Sequence, residues 1–346
     1  MNIKNLLSYT PKRDGGMNHI EIVRVENLKK YFPVEKSFLE RLLTRTRSFV
    51  HAVDSITFSV RKGEVFTLAG ESGCGKTTTG KLILGLIPPT SGKVFFKDQE
   101  ITKLDSEKLR LLRRKMQIIF QDPYASFNPR MKIGEAIGHP LEIHGLATGE
   151  EKRKKVLAML ERVGLTPPEQ FIDLYPHQLS GGQRQRAAMA RSLILEPEFI
   201  VADEPVSMID VSLRTTIIDL MLDLKKALQL TYLFITHDLA IAKYISDRIA
   251  IMYLGKIVEM GDKREIFSNP MHPYTQALLS AIPVPNPERK RKIMELKGEV
   301  PSAIKIPVGC RFHPRCPFAE DICMKEEPEL KAVTADHIVA CHLAKG

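Results

Sequence analysis

The sequence predicts an α/β fold, and three observations carry that expectation. Short apolar runs at Glu64–Ala69, Phe199–Ala202 and Tyr232–Ile235 have the length and composition of buried parallel strands. Helical patterns separate them, the alternation that builds a parallel sheet. A glycine-rich turn, Gly70 to Gly75, joins the first run to a helix expected over about Lys76–Ile87, which Pro88-Pro89 would stop.

The other elements follow in order. Residues 1–18 lack periodicity and read as a flexible leader with no apolar core of a signal peptide, so no export is expected. Ile20–Val25 is strand-like, and Ser37–Val50 reads as a short insertion carrying the basic cluster Lys36, Arg41, Arg45 and Arg47. From Ala52 the pattern alternates, with Val53, Ile56, Phe58 and Val60 as the inward side of a β-hairpin region. A mainly helical block spans about Gly134–Leu195. After Gly261 prolines crowd in and cysteines follow, which suggests an appended small domain rather than more sheet. The expected organisation is a leader (1–18), a main α/β domain (19–261) with a helical subdomain at about 122–195, and a C-terminal extension (262–346).

Composition narrows the class. With 346 residues, 43% hydrophobic and 27% charged, the chain can bury a sizeable core. It lacks the roughly 18 consecutive apolar residues of a spanning helix, and reads as soluble and intracellular. The net charge of +10 would suit nucleic acid, an anionic lipid surface or a phosphate-rich ligand. No zinc finger, recognition helix or RNA-binding aromatic signature accompanies it, so nucleic acid is not expected. Of five cysteines, Cys74 stands alone and Cys310, Cys316, Cys323 and Cys341 cluster near the end. In an intracellular chain such a cluster points to metal before disulfides.

Gly70-Glu-Ser-Gly-Cys-Gly75-Lys76-Thr77 has the G-x-x-x-x-G-K-[ST] pattern of a phosphate-binding loop in the required strand–loop–helix setting. Glycines let backbone N–H groups curl around phosphates, and the helix N-terminus adds partial positive charge. Gly70, Glu71, Ser72, Gly73, Cys74, Gly75, Lys76, Thr77 and Thr78 are therefore the candidate nucleotide contacts. Lys76 is expected at the β- and γ-phosphates and Thr77 at Mg²⁺. Cys74 reads as a small space-filler. Asp203 and Glu204 end an apolar strand, which places Asp203 to contact Mg²⁺ and Glu204 to act as general base toward water. Ser180 and Gln183 have capping-box spacing, and Gly181 and Gly182 leave the helix start approachable by an anion.

Leu179-Ser180-Gly181-Gly182-Gln183 resembles the signature of ABC ATPases, and together with the phosphate loop the resemblance is highly specific. It implies an ABC-type ATPase with an antiparallel β subdomain, a helical subdomain and a C-terminal extension. It also implies a head-to-tail dimer, with ATP between the phosphate loop of one subunit and the signature helix of the other. By the same resemblance Gln121 matches the glutamine that senses Mg²⁺ and the attacking water. His237 matches the histidine at the γ-phosphate, Asp210 the loop aspartate at the dimer interface, and Tyr31 the aromatic that stacks on adenine. Val206, Met208 and Ile209 stand where the family more usually has Thr, Ala and Leu, which bears on communication between the two sites. Thr102-Lys-Leu-Asp105 imitates a guanine-selecting motif but follows Lys76 too closely; it reads as a helix start.

Three further stretches resemble the oligopeptide/dipeptide importer ATPases: Gln121–Arg130, His272–Pro283 and Gly309–Pro317. Leu28–Pro33 leans toward the second of their two paralogous subunits. The resemblance implies a place on the cytoplasmic face of the membrane, two permease subunits, a substrate-binding protein, and a paralogous ATPase or a second copy of this chain. Members of this group also import nickel, glutathione or oligosaccharides, and the solute does not touch the ATPase. The spacing C-x5-C-x6-C-x17-C lacks the paired C-x-x-C of ordinary zinc ribbons, and four thiolates suit either a [4Fe–4S] cluster or zinc. The resemblance favours the iron–sulfur cluster on Cys310, Cys316, Cys323 and Cys341, with unliganded thiols as the alternative.

Overall fold

The structure, a computed structural model, describes residues 20–34, 48–282, 294–334 and 336–344. In chain order its elements are β1 (Glu21–Pro33), β2 (Phe49–Arg61), β3 (Val65–Ala69), α1 (Lys76–Ile83), β4 (Ser91–Phe96), β5 (Gln99–Glu100), α2 (Ser106–Leu112) and β6 (Met116–Ile119). The helical block holds α3 (Ile133–Ile143), α4 (Gly149–Arg162), α5 (Glu169–Ile172) and α6 (Gly181–Leu193). Then come β7 (Phe199–Asp203), α7 (Val211–Leu228), β8 (Thr231–Thr236), α8 (Leu239–Ile245), β9 (Arg248–Tyr253) and β10 (Lys256–Asp262). The chain ends with α9 (Lys263–Ser268), α10 (Pro273–Ser280), α11 (Asp321–Lys325), β11 (Lys331–Thr334) and β12 (His337–Val339).

Among the described residues, β6, β7, β8, β3 and β9 lie side by side and parallel, and β10, β12 and β11 extend that sheet antiparallel. The strands β3, β7 and β8 are buried along their whole length, as near-continuous apolar runs require. Their register fixes the site: Ala69 pairs with Thr236, Asp203 with Ile235, and Ile119 with Ala202. The residues that follow four neighbouring strand ends therefore emerge side by side, where ligands of parallel sheets bind.

A second, antiparallel sheet orders β2-β1-β4-β5. Val53, Ile56, Phe58 and Val60 all face its core, as their alternation predicts. The odd step from Val53 to Ile56 is a bulge: the register shifts between the pairs Leu28–Ile56 and Lys30–Val53, and Ser55 takes a φ of 57°. The strand expected over Ile20–Val25 runs on to Pro33. The insertion expected at Ser37–Val50 falls mostly on residues 35–47, outside the described residues, as do residues 1–19 with the leader.

Two expectations need correction. Helix α1 stops at Ile83, short of Ile87, because Gly85 turns left-handed (φ 61°) and closes a Schellman cap. In that cap Gly85 N–H donates to Leu82 O and Leu86 N–H to Lys81 O. The extension also contributes sheet: β12 pairs with β10 and covers an edge that would otherwise stay open. Asp105, in the guanine-motif imitation, is the N-cap of α2 and accepts from Lys108 N–H at 2.8 Å.

The extension is packed into the rest of the fold. Phe312 sits among Tyr253 and Tyr274, with ring centroids 5.3 and 5.4 Å away, and all three rings are buried. Each such ring contributes about 2–3 kcal/mol on burial. Among the described residues no helix is long and apolar enough to cross a membrane.

Candidate functional site

The loop after β3 is locked by backbone on both flanks. A Cβ on Gly70 would lie 2.3 Å from Met252 O, and one on Gly75 would lie 2.1 Å from Ala52 O. Both glycines have positive φ, so this loop cannot be built from other residues. Gly75 is the N-cap of α1 and brings no side-chain capping bond, so the first-turn N–H groups are left for a ligand. Lys76 is buried, and its ammonium donates to Gly70 O at 2.8 Å and Glu71 O at 2.9 Å. Cys74 is buried and burial pushes its thiol pKa up, which suits a space-filler rather than a reactive thiolate.

The acidic side of the site comes from the ends of β6, β7 and β8. Thr77 Oγ1 donates to Asp203 Oδ1 at 2.9 Å. Burial, aided by the neighbouring Glu204 charge, pushes the Asp203 carboxyl above its ordinary value. A bound cation would reverse that shift, and a hydroxyl with a carboxylate is the hard-oxygen set that Mg²⁺ accepts. Glu204 sits with φ 45° and its N–H on Ile235 O at 2.9 Å, which aims its carboxylate along the row of strand ends. There Gln121 Nε2 donates to Glu204 Oε2 at 2.9 Å, and His237 Nδ1 lies 3.0 Å from Glu204 Oε1. Three residues distant in sequence thus meet on one carboxylate.

The remaining candidates stand apart from this group. Ser180 caps α6 in a reciprocal box: Gln183 N–H donates to Ser180 Oγ at 3.3 Å, and Ser180 N–H to Gln183 Oε1 at 2.9 Å. A Cβ on Gly181 would meet nothing within 4 Å. No hydrogen bond or ion pair among the described residues joins 180–183 to the phosphate loop. Asp210 is exposed, starting α7 without a side-chain cap. Tyr31 packs its ring on His51 with centroids 4.1 Å apart and donates its hydroxyl to Asp54 Oδ1 at 2.6 Å. Burial and the Asp54 carboxylate raise the Tyr31 pKa to about 12.

The predicted metal ligands share one subdomain but not a cage. Cys310 N–H donates to Cys323 O at 2.8 Å, and burial, with Cys323, Cys341 and Cys316 nearby, pushes the Cys310 thiol up to about 11. Burial likewise raises the Cys316 and Cys341 pKa values. Four neighbouring thiols are the right donors for a soft metal or cluster. Among the described residues, however, no three His, Cys, Asp or Glu side chains are arranged to hold a metal ion.

Sequence reasoning missed Asp54, Tyr274, Arg311 and Arg315, which bind the nucleotide loop and the Tyr31 strand from the rest of the fold. Tyr274 Oη accepts from Glu71 N–H at 2.9 Å. Arg315 grips the Glu71 carboxylate, and Arg311 pairs with Asp54. The His272–Pro283 phrase carried one signal: His272 caps α10, its Nδ1 accepting from Tyr274 N–H at 3.1 Å, and so aims Tyr274.

With this geometry in place, comparison with known proteins is decisive. Residues 53–207 match the family model described as ABC transporter, and residues 258–323 that described as oligopeptide/dipeptide transporter, C-terminal region. The oligopeptide transport ATP-binding protein AppF of Bacillus subtilis strain 168 is 47% identical, covering 94% of this chain and 98% of its own. This chain belongs to the ATP-binding subunits of ABC transporters, in their oligopeptide/dipeptide branch. The dipeptide transport ATP-binding protein DppF of Escherichia coli K12 is 44% identical over 92% of this ABC ATPase and 93% of its own length. Among solved structures, the dimeric post-hydrolysis ATP-binding cassette MJ0796, bound to ADP and Pi, matches with a TM-score of 0.61 and 29% identity, covering 70% of this chain and 99% of that one.

Proposed function

We propose that this chain hydrolyses ATP to power peptide uptake through an ABC importer, with Glu204 as general base. The observation that carries the reading is the meeting of Gln121, Glu204 and His237 beside the Thr77–Asp203 pair and the phosphate loop. In this reading the free amides among residues 70–78 and the Lys76 ammonium hold the triphosphate. Lys76 is already desolvated and poised on loop carbonyls. Thr77, Asp203 and Gln121 would hold Mg²⁺, which would neutralise charge on the triphosphate. Glu204 takes the proton of a water that attacks the γ-phosphorus as the bond to the ADP oxygen breaks. Gln121 and His237 orient that carboxylate and water from either side.

Ser180, Gly181, Gly182, Gln183 and Asp210 serve the ATP of a facing subunit, a paralogous ATPase or a second copy. Support comes from the open helix start at Gly181 and the apolar surface beside it, where Met208, Val211 and Leu213 are exposed. Tyr31 offers its ring to adenine. Two permease subunits dock at the cytoplasmic face of the membrane on a groove of ≈ 400 Å³ lined by Phe120, Met131, His139 and Pro140. A substrate-binding protein delivers the peptide. In membrane vesicles holding the assembled transporter and a loaded binding protein, ATP is expected to drive accumulation of a labelled di- or oligopeptide. Uptake of nickel or a sugar instead of peptide would refute the substrate class, and recovery of the chain solely on ribosomes or DNA would refute transport.

For Cys310, Cys316, Cys323 and Cys341 the reading is a structural [4Fe–4S] cluster, with zinc as the alternative. The nearness of Cys316, Cys323 and Cys341 to Cys310, and the burial that disfavours the free thiolates of Cys310, Cys316 and Cys341, support a ligand there. Anaerobically purified protein is expected to be brown with about four irons per chain. Colourless protein with one zinc would select the alternative, and metal-free protein would remove both.

A further inference from the structure

The phosphate loop of this ATPase carries an acid, Glu71, where its ligand is a polyanion. A bare carboxylate there would repel a triphosphate, all the more because the site is partly desolvated. The structure meets this with a cation from far along the chain. Arg315 Nη1 donates to Glu71 Oε2 at 2.8 Å and Nη2 to Oε1 at 3.1 Å, a two-pronged fork that fixes geometry as well as charge. The Arg315 side chain is 9% exposed and that of Glu71 28%, so water screens the pair only in part. The Glu71 N–H is held as well, by the hydroxyl of fully buried Tyr274. That amide is therefore engaged by the extension, and the Glu71 carbonyl in turn receives the Lys76 ammonium. One residue of the extension thus governs the acid, a second its backbone, and both act one bond network away from the lysine.

The same turn reaches the other end of the site. Arg311, four positions before Arg315, pairs with Asp54, the acceptor of the Tyr31 hydroxyl. Phe312 between them is locked against Tyr253 and Tyr274. The turn is rigidly anchored, so the two arginines are held rather than merely near.

We propose that Arg315 is a positioning residue for nucleotide binding: it neutralises and holds Glu71, and so makes the C-terminal extension part of the ATP site. The proposal rests on the reading of residues 70–78 as the triphosphate cradle. It has a signature that simple docking of the extension lacks. If the fork only fastened the extension, removing either partner would cost the same and removing both would cost no less. If Arg315 silences an acid, removing the arginine harms ATP binding, and removing the acid as well repairs it.

The experiment is equilibrium titration of the full chain with a fluorescent ATP analogue, alongside the thermal midpoint of the nucleotide-free protein. Arg315→Ala is expected to weaken binding about tenfold, the scale of one charge-assisted interaction. Arg315→Ala/Glu71→Ala is expected to bind as tightly as Glu71→Ala alone, within about twofold. Arg315→Lys keeps the charge but loses the fork, and is expected to lose about threefold alone and nothing in the Glu71→Ala background. It carries the same test should Arg315→Ala fail to fold. Binding by Arg315→Ala, or by Arg315→Lys in its place, equal to that of the unaltered chain would overturn the proposal. So would a loss that Glu71→Ala does not relieve. Lys76→Ala reports on the cradle itself: undiminished ATP binding there would overturn the reading of the loop. Lost binding in Lys76→Ala beside normal binding in Arg315→Ala would overturn the clamp alone.

Discussion

Glu204→Gln is expected to cut steady-state ATP turnover about a thousandfold while leaving ATP bound, the scale of losing a general base. Glutamine has the shape of glutamate but cannot take the proton of the attacking water. It can still meet Gln121 and His237, which lie 2.9 and 3.0 Å from the two carboxylate oxygens, so the row of strand ends need not rearrange. The change also removes a negative charge that stands beside Asp203 and raises its pKa. Less repulsion toward the γ-phosphate favours the ATP-bound state, and ATP should accumulate in the protein. Phosphate release, measured together with nucleotide retained after rapid desalting, checks both halves. Turnover at the unaltered rate would take the base role from Glu204.

Gly75→Ala should abolish ATP binding, by at least about a hundredfold, because a close backbone approach and a left-handed conformation coincide there. The added methyl would lie 2.1 Å from Ala52 O at a residue with φ 110°. Neither side can give. The β2 segment is tied by Asp54 N–H to Gly255 O at 2.8 Å, and the loop by Gly255 N–H to Cys74 O at 2.9 Å. The loop must leave its place, and the amides at the start of α1 go with it. Gly73→Ala is the informative contrast. Its Cβ would meet nothing within 4 Å, so only the strain of φ 78° remains, about 1–2 kcal/mol. Titration of both variants with ATP should separate them widely, and equal affinities would show that close packing does not define the loop.

Much of the site was legible because fully buried strands write themselves as apolar runs that end where polar chemistry begins. Asp203-Glu204 and Thr236-His237 stand at such ends, and the parallel register of β3, β7 and β8 carries that linear pattern into space. Gln121 follows the same logic at the end of β6. Local glycine chemistry was harder to weigh. Pro88-Pro89 looked like the stop of α1, yet Gly85 had already turned the chain. The extension's contacts were not legible at all. The pairs Glu71–Tyr274, Glu71–Arg315 and Asp54–Arg311 span 203, 244 and 257 positions, and an arginine between two cysteines carries no mark of the carboxylate it will meet. The sheet role of β11 and β12 was hidden for a related reason: strands of four and three residues are too short to show a sustained alternation.

If ATP is clamped between the lysine loop of one subunit and the Ser180–Gly182 helix start of another, dimer formation depends on nucleotide. The molar mass of Glu204→Gln in solution with ATP, alone and mixed with the paralogous ATPase, tests it most directly. An ATP-dependent dimer is expected in one of those settings. Adding Ser180→Arg to the same chain is expected to disrupt the dimer, while that chain's own loop still binds ATP. An ATP-loaded Glu204→Gln chain that stays single in both settings, or a dimer indifferent to Ser180→Arg, would contradict it.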